Sequence, residues 1–132
     1  MSKIPLEYAI GVDIGGTNTK CGIVNRRGEV LQYEQLSTPE YETPQDFVDA
    51  LCVRLTLMTD KVGGPEVIKG IGIGAPNGNY YTGTIEYAPN LRWEGVVPLA
   101  DMVSEKMNLP TALTNDANAA AVGEMQYGAA KG

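Results

Sequence analysis

Histidine is absent from this 132-residue chain. That excludes a Ser-His-Asp triad, a Cys-His dyad, an HExxH zinc site and any imidazole general base, so proton transfer within the chain falls to carboxylates. Cysteine is scarce: Cys21 and Cys52 are the only two, and they sit in apolar runs rather than in a CxxC spacing or a regular framework. They read as buried thiols of a reducing compartment. No apolar run reaches the roughly 18 residues that a membrane span needs. Charged Lys3 and Glu7 stand where a signal peptide would carry its apolar core. We therefore expect a soluble, cytoplasmic protein with no membrane partner. Basic residues are outnumbered, 10 Lys and Arg against 16 Asp and Glu, for a formal charge of −6. Binding nucleic acid through its phosphates needs clustered cations, and Arg26-Arg27 is the only basic pair, which argues against nonspecific DNA affinity, and we expect no nucleic-acid partner.

Glycine is in excess, 16 residues of 132, where about 7 % is average. The glycines cluster rather than repeat, which marks places where backbone turns sharply or approaches something closely. The length suits one domain with a real core, and is short for an enzyme that closes two lobes on a substrate.

Tyr8 to Ile14 is a nearly continuous apolar run, as in a strand buried on both faces, and it stops at Gly15-Gly16. Lys20 to Val24 and Glu29 to Tyr33 follow as strands joined by the short polar turn Asn25 to Gly28, which predicts a three-strand antiparallel meander. Thr43-Pro44-Gln45-Asp46 supplies a capping hydroxyl, a first-turn proline and an acid, so a helix begins there. Phe47, Leu51, Leu55 and Met58, with Val48 and Cys52 beside them, form its core face, and Gly63-Gly64-Pro65 ends it. Ile68 to Gly74 reads as a strand with alternate glycines, against which a helix should pack. Residues 75–98 read as loop with a short hairpin around Tyr80 to Tyr87. A helix over Leu99 to Met107, a strand over Thr111 to Thr114 and a final helix from Asn115 toward Tyr127 complete the order. The fold class is α/β, a mixed sheet with flanking helices.

Two stretches could carry chemistry. Asp13-Ile14-Gly15-Gly16-Thr17-Asn18-Thr19-Lys20 leaves a buried strand through two glycines into hydroxyls and an ammonium. It presents backbone N–H groups and positive charge where a phosphate could rest, with Asp13 placed to hold magnesium through water. The alternative is a plain glycine hairpin turn. Neither GxxxxGK[ST] nor GxGxxG fits. Asn115-Asp116 sets a carboxylate at a strand-to-helix junction, where simple helix capping is the alternative. Asp13 and Asp116 would share the C-terminal edge of the sheet, on which open α/β sheets bind ligands. Glu124 lies about 12 Å of helical rise from Asp116, too far for a glycosidase carboxylate pair, and reads as structural. Trp93 and the tyrosines either stack on a sugar ring or pack locally, and Asn77 and Asn90 either bond hydroxyls or support turns.

In order along the chain, Asp13-Ile-Gly-Gly-Thr17, Gly72-Ile-Gly-Ala-Pro76, Asn90-Leu-Arg-Trp93 and Asn115-Asp-Ala-Asn-Ala-Ala-Ala-Val-Gly-Glu124 resemble motifs of the ROK family of sugar kinases and sugar-responsive repressors. The resemblance implies a ribonuclease H-like (actin/hexokinase-like ATPase) domain that uses ATP and Mg2+ to phosphorylate a hexose, glucose foremost. Asp116 would be the catalytic base. Gly15, Gly16, Thr17, Asn18, Thr19 and Lys20 would face the ATP phosphates, with Asp13 on the metal. Gly74, Ala75, Pro76, Asn90, Asn115 and Asp116 would contact the sugar. Two positions depart from the family pattern. Asn77 replaces a frequent glycine, which a left-handed backbone tolerates, and Arg92 replaces a Pro-Gly before the tryptophan.

The family's second phosphate motif, its Glu-x-Gly-His segment and its cysteine-rich zinc motif would follow position 132. Residues 1–132 are thus expected to be the N-terminal lobe of a two-lobe kinase, inactive alone, with any structural Zn2+ in the other lobe and a homodimer when full-length. The rival readings are a sugar-sensing repressor and a non-catalytic actin-like interaction module. A repressor usually carries a helix-turn-helix ahead of this domain, where only seven residues precede the first strand here, and a pure sensor would need neither Asp13 nor Asp116. Both points favour the kinase.

Overall fold

The computed structural model describes residues 7–115. Strands β1 (Tyr8–Ile14), β2 (Asn18–Asn25) and β3 (Val30–Ser37) form the expected meander. β4 (Ile68–Gly74) and β8 (Thr111–Thr114) add to it in parallel with β1, giving a five-stranded mixed sheet in the order β3-β2-β1-β4-β8.

Register divides the sheet into two faces. Val12 stands opposite Cys21 and Ile73, and Ile73 opposite Leu113, so these side chains share one face with Ile10, Ile14, Ile23 and Ile71. Helices α1 (Pro44–Val62) and α2 (Leu99–Met107) cover that face, contributing Phe47, Leu51, Leu55, Met58, Leu99 and Val103 to a single core. The alternate glycines Gly70, Gly72 and Gly74 fall on the opposite face with Gly11. The helix expected over them is therefore neither α1 nor α2, and the final helix predicted from Asn115 lies outside the described residues.

Helix α1 begins as its sequence dictates: the Thr43 hydroxyl accepts from the Asp46 amide at 3.1 Å and Pro44 occupies the first turn. It ends at Gly63, whose φ of 126° suits a residue without Cβ. Two boundaries differ from expectation. β2 starts two residues earlier, at Asn18, and β3 runs on to Ser37. β3 is an edge strand with a largely exposed alternation, so its polar residues mask the strand period. The loop region holds a second, three-stranded sheet of β5 (Gly78–Asn79), β6 (Thr84–Glu86) and β7 (Val96–Val97). The hairpin was legible; the two-residue β7 was too short to leave a pattern.

Both cysteines are free and buried. Burial, reinforced by nearby Glu34, pushes the Cys21 thiol up to about 12, and burial pushes Cys52 up to about 11. Neither thiol should react with a disulfide reagent at pH 8 until denaturant is added, which a thiol titration checks. The unfolded thiols ionise from a value of 9.0 and the folded ones do not, so folding stability should fall as pH climbs above 9. No helix among the described residues is long and apolar enough to cross a membrane.

Candidate active site

β1, β4 and β8 run parallel, with Asp13 opposite Gly74 and Gly74 opposite Thr114. Three strand ends thus line one rim, and two interstrand spacings put Asp13 and Thr114 about 10 Å apart along it. Exposed Asn115 follows directly. Asp116 lies outside the described residues.

The β1–β2 hairpin turns over this rim, closed by the Gly15 amide donating to the Asn18 carbonyl at 2.9 Å. The amides of Gly16 and Thr17 take no part in the backbone hydrogen bond that closes the turn. Thr17, Asn18 and Lys20 are exposed, and Lys20 stands opposite Asp13 across the β1–β2 pair. Thr19 corrects the sequence reading. It is fully buried, on the core face with Cys21, and its hydroxyl shares a 2.8 Å hydrogen bond with that of Thr38. It cannot face a phosphate from there.

Gly16 packs against the other candidate segment. A Cβ at this position would sit 2.8 Å from the Asn90 carbonyl oxygen, so the turn and the exposed Asn90 touch backbone to backbone. Gly16→Ala is expected to push the turn and Asn90 apart and to lower the unfolding free energy by about 1–3 kcal/mol, as urea unfolding would show.

After β4, the chain is tied to β8 by the Ala75 amide, which donates to the Thr114 carbonyl at 3.0 Å. Gly74 and Ala75 are buried and Pro76 is half-buried. The first two therefore shape the rim with their backbone rather than with exposed side chains. Asn77 is left-handed, with φ 56°, and its amide nitrogen donates to the carbonyls of Glu86 at 2.9 Å and Tyr87 at 3.0 Å. A side chain in place of Gly78 would meet the Thr114 carbonyl at 2.5 Å, so this glycine lets the loop press against the exit of β8. Pattern alone singled out neither Gly78 nor this tie.

Trp93 belongs to the core. Its ring centroid lies 4.7 Å from that of Phe47, and its indole N–H donates to the Tyr41 carbonyl at 3.0 Å. Arg92 donates to the Pro39 carbonyl at 2.7 Å and pairs with Glu42 at 3.4 Å. The segment 38–42, a 3-10 turn (Thr38–Glu40) and two further residues, was not singled out from sequence.

A mixed sheet in this order, with helices packed on it and loops gathered at the carboxyl ends of its parallel strands, defines a ribonuclease H-like domain of the actin and hexokinase type. The ROK family pattern matches residues 9–132. The chain belongs to that family. It is 39% identical over 124 residues to the glucokinase of Streptomyces coelicolor, covering 93% of this chain and 37% of that protein. It is 36% identical over 121 residues to the xylose repressor of Caldicellulosiruptor bescii, covering 90% of this chain and 30% of that protein. It superposes with a TM-score of 0.72 and 37% identity on a ROK family glucokinase from Streptomyces griseus in complex with glucose and AMPPNP, covering 95% of this chain and 38% of that one. The chain thus spans well under half the length of these relatives.

Proposed function

We propose that the full-length protein transfers the γ-phosphoryl group of ATP to a hexose, glucose to glucose 6-phosphate, and that this chain contributes the phosphate-side turn and the catalytic base. The observation that carries the reading is the contact of Gly16 with Asn90 beside the Asp13–Gly74–Thr114 rim. It sets a phosphate-type turn against a polar, exposed side chain over one sheet edge.

The residues present fit the nucleotide and its metal. The turn amides of Gly16 and Thr17, which do not close the hairpin, suit phosphate oxygens, and the Lys20 ammonium suits their charge. Magnesium bound to a nucleotide keeps most of its waters and takes only one or two carboxylates, a demand that Asp13 alone can meet. When bound, ATP and Mg2+ supply the transferable group and neutralise its charge. Phosphoryl transfer passes through a loose transition state, so the protein's part is mainly positioning and electrostatics. In this reading Gly16, Thr17, Asn18 and Lys20 hold the phosphates, Pro76, Asn90 and Asn115 orient the sugar, and Asp116 takes the proton of the attacking hydroxyl. Homodimerisation and a cytoplasmic location belong to the same proposal.

The test is calorimetry of the full-length protein with glucose, fructose and N-acetylmannosamine, with and without ATP, alongside an assay for phosphoryl transfer. Binding with transfer supports the proposal. Binding without transfer selects a sugar-responsive repressor, the second reading, which the similarity to the Caldicellulosiruptor bescii xylose repressor supports. No sugar binding at all overturns both.

A further inference from the structure

We propose that segment 38–42 is a strap that fixes the distance between the phosphate-side turn and the hexose-side loop, making Thr38 and Arg92 positioning residues for both substrates. The inference rests on the assignment of turn and loop made above.

The contacts close a ring. At one end of the strap, the Thr38 amide donates to the Thr17 carbonyl at 3.1 Å and its hydroxyl bonds that of Thr19 at 2.8 Å, both hydroxyls buried. At the other end, Arg92 donates to the Pro39 carbonyl at 2.7 Å, and Trp93 to the Tyr41 carbonyl at 3.0 Å. The ring is completed where Gly16 meets Asn90. Neither the turn nor the loop can shift without straining the strap or opening that contact.

A connection between β3 and α1 would need only to bridge them, and Trp93 already anchors this one in the core. Arg92 adds something different. Its side chain is 48% exposed and that of Glu42 is 77% exposed, so their ion pair contributes little stability. The short, charge-assisted bond to Pro39, in contrast, holds a carbonyl one residue from Thr38. The arrangement trades little stability for a fixed spacing.

Spacing and plain bracing predict different kinetics. If Arg92 serves only its own loop, Arg92→Ala in the full-length protein moves the KM for hexose alone. If the strap transmits position, Arg92→Ala also raises the KM for ATP, by roughly fivefold, and Arg92→Lys restores most of it. Conversely, the double variant Thr19→Val, Thr38→Val removes both members of the buried hydroxyl pair and so leaves no orphaned donor to unfold the protein. It should raise the KM for hexose by a similar factor. Each variant affecting only its own substrate overturns the strap. Amide exchange at Gly15 and Thr38, whose amides donate to the Asn18 and Thr17 carbonyls, gives a readout independent of turnover: Arg92→Ala should accelerate it roughly fivefold, and unchanged exchange overturns the proposal. A wild-type protein that transfers no phosphate, yet shows this acceleration, refutes the functional reading and leaves the strap standing.

Discussion

Asp116→Asn in the full-length protein is expected to cut kcat about 10²- to 10⁴-fold, the range in which a positioned general base contributes, while hexose binding by calorimetry stays within about twofold. Asparagine keeps the size of the side chain and a hydrogen-bonding oxygen, but cannot hold a proton. A carboxylate is a weak base, and it suffices when the hydroxyl proton leaves late in a loose transition state. A fall in kcat with the hexose affinity preserved is the signature of an interaction made only in the transition state. Asp116 follows Thr114 by two residues, and Thr114 aligns through Gly74 with Asp13 on the same rim. A variant that turns over like wild type removes Asp116 from the role of base and returns Asn115-Asp116 to helix capping.

Sequence revealed most where the signal is local. The cap at Thr43, the stripe from Phe47 to Met58 and the stop at Gly63 each sit within a turn or two of the helix they specify, and α1 follows them. Asn77 was readable for the same reason: a left-handed backbone is a property of one residue, and φ is 56° there. What depended on distant partners was not readable. The inward-facing Thr19 shows how a boundary error spreads. Starting β2 at Lys20 leaves Thr19 in the turn, whereas the true start at Asn18 places it in alternation with Cys21 and Ile23, toward the core. Ala75 lies in a loop by sequence, yet its amide is claimed by Thr114 of β8, 39 residues further on. The strap from Thr38 carries no motif because its bonds go to Thr17, Thr19, Arg92 and Trp93, which only the fold brings together. Of the candidate site, the rim and the turn were therefore legible, and the ties that set their spacing were not.

Phe47→Ala is expected to lower unfolding free energy by about 3–5 kcal/mol, the usual cost of removing a buried phenyl ring from a core. Phe47 is fully buried in the first turns of α1, its amide bonded to the Thr43 carbonyl at 3.1 Å. Its ring meets Trp93 at 4.7 Å and the edge of Tyr41 at 5.9 Å, so one side chain supports both the hexose-side loop and the strap. Deleting it leaves a cavity between three elements that cannot all collapse inward, because Trp93 and Tyr41 are also tied together through the indole N–H. Val53→Ala on the same helix, where the side chain is 60% exposed, serves as the control and should change stability by less than about 0.5 kcal/mol. Urea unfolding of the two variants checks the difference, and a loss below about 1.5 kcal/mol for Phe47→Ala would mean that the ring is not the keystone of this contact. If it is, the surviving folded fraction of Phe47→Ala should also show a raised KM for hexose, because the loop bearing Asn90 leans on Trp93 and Trp93 leans on Phe47.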